Sequence, residues 1–134
     1  MSRINRRGFL KGTLGTAAAI SLPSIAVDGA ILGANERLRM AVCGLNGRGG
    51  SHIGGFGGDK RVELAWLIDP DENVLKRRLR GRKNCQGSAN FRKALADKNV
   101  DAISVAAPNH WHSLMTIWAA QAGKHVYCEK LMSN

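Results

Sequence analysis

The sequence is poor in cysteine, and the cysteines it has are not arranged for disulfides or for a metal. Three are present, Cys43, Cys85 and Cys128, which is an odd number, and they form no Cys-x-x-Cys pair. This pattern suggests neither a disulfide framework nor a zinc knuckle. Cys43 and Cys128 each fall inside an apolar run, where a thiol behaves as a small hydrophobic side chain.

Acidic residues are scarce as well: 10 stand against 20 lysines and arginines, for a formal charge of +10. Much of the excess lies in the run KRRLRGRK, residues 76–83. Basic runs of this length can bind nucleic-acid phosphates, but no aromatic residue interleaves this one to stack on bases. The run therefore favours a solvated helix face, and we expect no nucleic-acid partner. A basic nucleic-acid-binding module, with strongly salt-dependent affinity, is the alternative hypothesis.

The chain also lacks an N-terminal apolar run of the length that a membrane anchor needs, about 20 residues. The uncharged stretch 12–27 is shorter and contains glycine, and it follows the pair Arg6-Arg7 and the sequence GFLK. A basic start followed by a weakly apolar stretch predicts a secretory signal, here of the twin-arginine class. We therefore expect residues 1–34 to be a signal and linker that engages the twin-arginine export machinery, with the periplasm as destination, and residues 35–134 to be one folded domain.

From Leu38 onward, strand and helix patterns alternate. Near-continuous apolar runs predict buried parallel strands, and amphipathic segments between them predict helices. The strands are LRMAVCGL, VELAWLID, VDAISVAAP and HVYCEK. Four helices are predicted. The first follows the glycine turn, the second begins at Pro70, and the third covers FRKALADK. The fourth covers HWHSLMTIWAAQAG, with Leu114, Ile117 and Trp118 on one face. A glycine-interrupted connection before Phe91 leaves room for a further short strand. This order predicts an α/β fold with a doubly wound parallel sheet.

A glycine-rich turn follows the first strand, where a parallel sheet of this kind binds its ligand. Gly44 and Gly49 fit the first and third glycines of G-x-G-x-x-G, which permit the tight turn and the close packing of helix on strand. Asn46 stands at the second position, where the backbone normally approaches a pyrophosphate. Asparagine tolerates a left-handed backbone better than most residues, but its side chain takes space.

An acidic residue, Asp69, ends the second strand twenty residues after Gly49. That spacing is typical of the acid that binds an adenosine ribose; the alternative role is the N-cap of the following helix. A carboxylate here repels a 2′-phosphate, so the sequence favours NAD over NADP. Arg77 or Arg78 would reverse this preference if either reached back to the site.

Two further groups are predicted to reach the same edge of the sheet: the segment 108–112, PNHWH, and the pair Glu129-Lys130. A metal site built from His110, His112 and Cys128 would match no known ligand spacing, so we predict no metal. Trp66 and Trp118 are interpreted as core or subunit-contact residues, and His52 and His125 carry no functional signal.

The segment NVDAISVAAPNHWHSLMTIWAAQAGKHVYCEK resembles the glucose–fructose oxidoreductase, inositol dehydrogenase and rhizopine-catabolism family (Gfo/Idh/MocA), which shows a Pro-Asn-x-x-His turn, a helix and a Glu-Lys-Pro motif in this order. The resemblance extends from Arg39 to Asn134. It implies an NAD(P)-dependent oxidoreductase of two domains, a Rossmann domain and a substrate domain, that acts on sugars, cyclitols or related polyols. It also implies the cofactor ligands: Gly44, Asn46, Gly47, Arg48 and Gly49 for the pyrophosphate, Asp69 for the ribose, Pro108, Asn109 and His112 beside the nicotinamide, and Glu129 and Lys130 flanking the nicotinamide and substrate. Lys130, which could polarise a substrate hydroxyl or carbonyl, is the catalytic candidate.

The sequence departs from the family pattern at Leu131, where the motif has proline; this removes a restraint on the backbone of Lys130. In the family, the substrate domain and its catalytic histidine follow this motif. We therefore expect a fragment that lacks the substrate domain, binds the cofactor without turning over a sugar, and forms a homo-oligomer only when full length. A non-catalytic Rossmann binding module is the alternative.

Overall fold

The computed structural model describes residues 37–132, and the predicted signal and the predicted boundary at residue 34 lie outside them. The described part contains a five-stranded sheet in the order β3-β2-β1-β4-β5, with all paired strands parallel. The strands are β1 (Leu38–Cys43), β2 (Val62–Ile68), β3 (Gln86–Ser88), β4 (Ala102–Val105) and β5 (His125–Cys128). The predicted doubly wound α/β fold is confirmed, and so is the short strand before Phe91.

Four helices alternate with these strands in the described residues: α1 (Arg48–Gly58), α2 (Glu72–Leu79), α3 (Phe91–Ala96) and α4 (Asn109–Gln121). The side chains of β1 alternate between two apolar cores: Ala41 and Cys43 belong to one, and Val42 belongs to the other. The first core contains residues of α3 and α4, and the second contains residues of α1 and α2. A strand that is buried on both faces must be apolar throughout, which explains the continuous apolar runs in the sequence.

The helix after β2 begins later than the sequence predicts, at Glu72 rather than Pro70. Its N-cap is Asp71, whose side chain accepts hydrogen bonds from the backbone amides of Asn73 and Val74. The N-cap role considered for Asp69 is therefore wrong, because the neighbouring aspartate satisfies the free amides of the first turn.

The face of α4 that packs on the sheet differs from the predicted one. Met115 and Ala119 are buried, together with His112, whereas Leu114 and Ile117 are 38% and 52% exposed. Trp66 is a core residue as predicted, and its indole Nε1 donates to Asp97 at 2.8 Å. Trp118 packs at the margin of the same core, with the guanidinium of Arg92 4.4 Å from its ring centre.

Among residues 37–132, no helix combines the length and the apolar character that a membrane crossing requires.

Candidate functional site at the carboxyl edge

Four strands end at the same edge of the sheet, and we call this region, where β1, β2, β4 and β5 end, the carboxyl edge. The glycine turn, residues 44–50, packs closely against the backbone at this edge. Gly44 has a φ of +80°, and a Cβ on it would lie 2.7 Å from the backbone of Ala106, just after β4. A Cβ on Gly49 would overlap the carbonyl oxygen of Gly44. Both positions therefore require glycine, one for the turn and one for the approach of α1 to it.

The second position of the glycine motif differs from the sequence-based expectation. The left-handed backbone falls on Gly47, with a φ of +46°, and none of the described non-glycine residues has a positive φ. Asn46 therefore does not need the left-handed conformation that its residue type would tolerate. Its side chain is exposed, and its Oδ1 accepts from Arg77 at 3.4 Å. The backbone amides of Asn46 and Gly47 donate to no residue of the described part.

Asp69 is 7% exposed and clamps the glycine turn from the end of β2. One carboxylate oxygen accepts from the amide of Leu45 at 2.8 Å, and the other accepts from the amide of Asp71 at 2.9 Å. From the other side, Nε of Arg78 donates to the carbonyl oxygen of Leu45 at 3.0 Å. Both arginines that could affect the choice between NAD and NADP therefore reach back to the glycine turn.

Glu129, which follows β5, is joined to α1 by two side chains. Arg48 Nη2 lies 2.9 Å from Glu129 Oε1, and His52 Nε2 lies 2.9 Å from the same oxygen. The other ring nitrogen of His52 lies 2.7 Å from the hydroxyl of Ser104, a fully buried residue of β4. Arg48, predicted to face the pyrophosphate, thus lies across the edge and contacts the Glu129-Lys130 motif.

These contacts set the charge of the motif. The hydrogen bond from His52, followed by that from Arg48, holds the pKa of Glu129 below its ordinary value, so the carboxylate is ionised at neutral pH. Glu129 in turn raises the pKa of Arg48. Lys130 is exposed, and within residues 37–132 no side chain bonds to its amine. The edge thus presents a fixed anion beside an accessible cation.

The segment after β4 begins α4 at the carboxyl edge. Pro108 is the N-cap, Asn109 is the first helical residue, and both are exposed. His112 is 1% exposed, with Nε2 2.7 Å from the carbonyl oxygen of Ala107 and Nδ1 2.8 Å from that of Leu131. Because both ring nitrogens are engaged by backbone carbonyls, His112 holds the segment after Lys130 in place, and no nitrogen remains for a metal.

The structure brings together no group of three metal-ligating side chains in the part of the chain that it describes. Cys43 and Cys128 are free thiols, and burial raises the pKa of Cys43, so its thiol is protonated. A groove of about 340 Å³ runs along α1 from Arg48 at the carboxyl edge, between α1 and β5. Its lining residues are Arg48, Ser51, His52, Gly55, Phe56 and Tyr127.

His52 is the site residue that sequence reasoning missed. It lies on a glycine-rich helix with no motif around it, and its partners are 52 and 77 positions away in the sequence. One signal was available, because Arg48 and His52 are four positions apart and so share a helix face. That face points to the end of β5.

Comparisons with known proteins agree with this geometry. Residues 38–133 match the model of an oxidoreductase family described as having an NAD-binding Rossmann fold (GFO_IDH_MocA). Residues 3–23 match the signal sequence of the twin-arginine translocation pathway. The chain therefore carries a signal for twin-arginine export, to the periplasm or beyond, and a domain that binds NAD.

Among curated relatives, the chain is 28% identical to glycosyl hydrolase family 109 protein 2 of Shewanella sp. (strain ANA-3), with all of this chain and 35% of the relative covered. Among solved structures, it resembles myo-inositol 2-dehydrogenase from Lactobacillus plantarum, with 30% identity, a TM-score of 0.68, and coverage of 73% of this chain and 29% of that one. It also resembles GenD2 from gentamicin A biosynthesis, solved in complex with NAD, with 34% identity, a TM-score of 0.69, and coverage of 73% and 28%. The chain spans about a third of the length of these proteins.

Proposed function

Because the chain belongs to the Gfo/Idh/MocA family of oxidoreductases, we propose that it provides the cofactor half of a nicotinamide-dependent oxidoreductase that acts on a sugar, cyclitol or related polyol. One observation carries this proposal: the ends of four separate strands deliver the glycine turn, Asp69, Asn109 and Lys130 to one edge of the sheet. Ligands of open parallel sheets bind at that edge, at the point where the strand order reverses. Here that point lies between β1 and β4.

The glycine turn fits a dinucleotide pyrophosphate. The backbone comes close to the ligand position because Gly44 and Gly49 have no side chains, and the amides of Asn46 and Gly47 have no partner in the described part of the chain. These amides precede the first turn of α1, where the helix dipole favours an anion. In the proposed complex, the residues from Gly44 to Gly49 bind the pyrophosphate, and the Arg48 guanidinium lies within reach of it.

Asp69 fits the adenosine ribose. Each of its oxygens accepts one backbone amide, and a carboxylate has about four lone-pair positions. One acceptor position on each oxygen therefore remains for a ribose hydroxyl. A second anion at this point is unfavourable, which supports NAD as the preferred cofactor, while Arg77 provides a compensating cation for NADP.

On the nicotinamide side, we assign Pro108, Asn109 and His112 to the wall of the site, and we assign Glu129 and Lys130 to positions that flank the nicotinamide and the substrate. The bound nicotinamide would accept or return the hydride. Lys130 would polarise the reacting hydroxyl or carbonyl of the substrate with its ammonium group. His112 contacts the carbonyl oxygen of Leu131 through Nδ1, and Ser113 donates its hydroxyl to the carbonyl oxygen of Met132. These two contacts hold the segment after Lys130 and replace the restraint that proline would give.

The test is a titration with NADH, followed by nucleotide fluorescence and by the melting temperature of the protein. We expect saturable binding and a higher melting temperature. Asp69→Ala should weaken binding about tenfold, the cost of losing hydrogen bonds to a charged acceptor. Asp59→Ala, which removes an exposed carboxylate paired with Arg61, is the matched control and should bind like wild type. Absence of binding at millimolar NADH would contradict the proposal.

A further inference from the structure

His52 joins three elements of the fold at a single buried ring. It lies in the second turn of α1, with the Ser104 hydroxyl of β4 on one nitrogen at 2.7 Å and Glu129 Oε1, beyond β5, on the other at 2.9 Å. The side chains of His52 and Glu129 are only 6% and 11% exposed. A hydrogen bond in such surroundings is stronger than one in water.

The chemistry of the partners fixes the direction of each bond. An ionised carboxylate only accepts, so Nε2 of His52 donates to Glu129. In the tautomer that carries hydrogen on Nε2 alone, Nδ1 accepts the hydroxyl proton of Ser104. The order serine, histidine, carboxylate is that of a hydrolytic triad, but Ser104 is fully buried in β4. No substrate can reach its oxygen, and the arrangement therefore serves to hold Glu129.

Arg48 contacts the same oxygen of Glu129 but contributes less to its position. The Arg48 side chain is 68% exposed, and ion pairs in contact with solvent contribute little. His52, by contrast, is 7% exposed, with the rings of Phe56 and Tyr127 at 5.8 and 5.4 Å. The other oxygen of Glu129 accepts from no residue of the described part, which leaves it available to a ligand.

We propose that His52 is a positioning residue that fixes Glu129, and through it the neighbouring Lys130, at the nicotinamide end of the site. The proposal rests on the proposed function, since it assigns His52 a role in that cofactor site. It predicts that the donor at Nε2 matters for cofactor binding beyond the contribution of the aromatic ring to packing.

Three substitutions separate these roles. Glutamine places an amide nitrogen near the position of Nε2 and keeps the bond to Glu129; asparagine reaches only the position of Nδ1 and Ser104; phenylalanine keeps the ring and loses both bonds. NADH dissociation constants are measured by fluorescence on the full chain, and melting temperatures without ligand report on folding. We expect His52→Asn and His52→Phe to weaken NADH binding about tenfold, and His52→Gln to stay within about threefold of wild type.

A double-mutant cycle identifies the partner. In a Glu129→Ala background, the difference between His52→Asn and His52→Gln should disappear, because the acceptor through which His52 acts is gone. Three results would each overturn the role of His52: equal weakening by asparagine and glutamine, affinity losses that simply follow the melting temperature, or a difference that persists in Glu129→Ala. If wild type binds NADH and all three variants bind it as tightly as wild type, only this inference fails. If wild type does not bind NADH, the proposed function fails, and this inference fails with it.

Discussion

The two halves of the carboxyl edge, which we propose to bind the adenosine and the nicotinamide ends of the cofactor, are held together in different ways. The adenosine half, made of the glycine turn and Asp69, is fixed by the backbone: Gly44 and Gly49 allow no side chain, and Asp69 accepts two main-chain amides. The nicotinamide half, made of residues 108–112 and the Glu129-Lys130 motif, is fixed by side chains. Two buried histidines, His52 and His112, hold it.

This difference shows why one half can be recognised from a short motif and the other cannot. A backbone site needs particular residues at particular spacings, since only glycine fits where a Cβ would overlap a carbonyl. A side-chain network needs only complementary donors and acceptors, and these come from anywhere in the sequence. Substitutions that disrupt one half at a time therefore test whether the two halves are held in these different ways.

The largest effect is expected from Gly49→Ala. The new Cβ would overlap the carbonyl oxygen of Gly44, so the turn and the first turn of α1 must move apart and the pyrophosphate site is lost. We expect NADH affinity to fall about a hundredfold or more, the equivalent of about 3 kcal/mol or more, together with a clear loss of stability. Calorimetric titration and thermal melting measure the two effects.

Gly54→Ala on the same helix is the matched control. A Cβ there meets no atom within 4 Å, so alanine should raise stability by up to about 1 kcal/mol through its higher helix propensity and leave NADH binding unchanged. Similar losses of stability and NADH affinity in both variants would mean that α1 is generally intolerant of substitution. That result would contradict a steric requirement specific to the turn.

The next effect concerns the nicotinamide half. His112→Ala removes the ring nitrogens that contact the carbonyl oxygens of Ala107 and Leu131 and leaves a cavity under α4. We expect the free energy of unfolding to fall by about 2–3 kcal/mol, measured by urea denaturation. His110→Ala, at an exposed neighbouring position, should change it by less than about 0.5 kcal/mol. Equal effects would show that His112 does not hold the segment.

The pH dependence of Glu129 gives a smaller effect. Its folded-state pKa lies below the ordinary value because His52 and then Arg48 bond to the carboxylate. The charge therefore stabilises the fold above the ordinary pKa, and this contribution is lost as the pH falls through the lowered one. The melting-temperature difference between wild type and Glu129→Gln should shrink as the pH falls from neutral to below the ordinary pKa of glutamate.

The same measurement in a His52→Phe background should show a smaller pH-dependent difference, since the main hydrogen bond is already absent. A wild-type difference that stays constant with pH would contradict the assigned cause.

The smallest effect is expected from Arg77→Ala in the adenosine half. The exposed guanidinium lies 3.4 Å from Asn46, and its loss should lower NADPH affinity about threefold while NADH affinity stays the same. Lys76→Ala, in the same basic run, should change neither. Equal changes for NADH and NADPH would show that Arg77 has no part in distinguishing them.

Much of the fold was predictable from the sequence, because strands buried on both faces must be apolar throughout and the turns between elements need glycine or a capping residue. VELAWLID and VDAISVAAP show this pattern and contain the buried strands β2 and β4, and Gly44 and Gly49 marked the turn. The packed face of α4 could not be predicted in the same way. Met115 and buried His112 face the sheet, while the larger Leu114 and Ile117 lie outside, a choice that depends on tertiary contacts.

Within the site, the sequence indicated which residues reach the edge but not what they contact there. Asp69 was predicted at the end of β2, yet its amide partners depend on how the turn folds back. Arg48 was assigned to the pyrophosphate and lies on Glu129. His52 showed no functional pattern, since its role depends on contacts with Ser104 and Glu129, which lie 52 and 77 positions away in the sequence.

The most direct measurement is a titration of the isotope-labelled chain with NADH, followed by amide chemical shifts in NMR spectra. A dinucleotide that lies across the carboxyl edge should shift, saturably, the amides of the glycine turn, Asp69, Asn109 and Lys130 together. Shifts centred on residues 76–83, or confined to one half of the edge, would contradict a single cofactor site built from four strand ends.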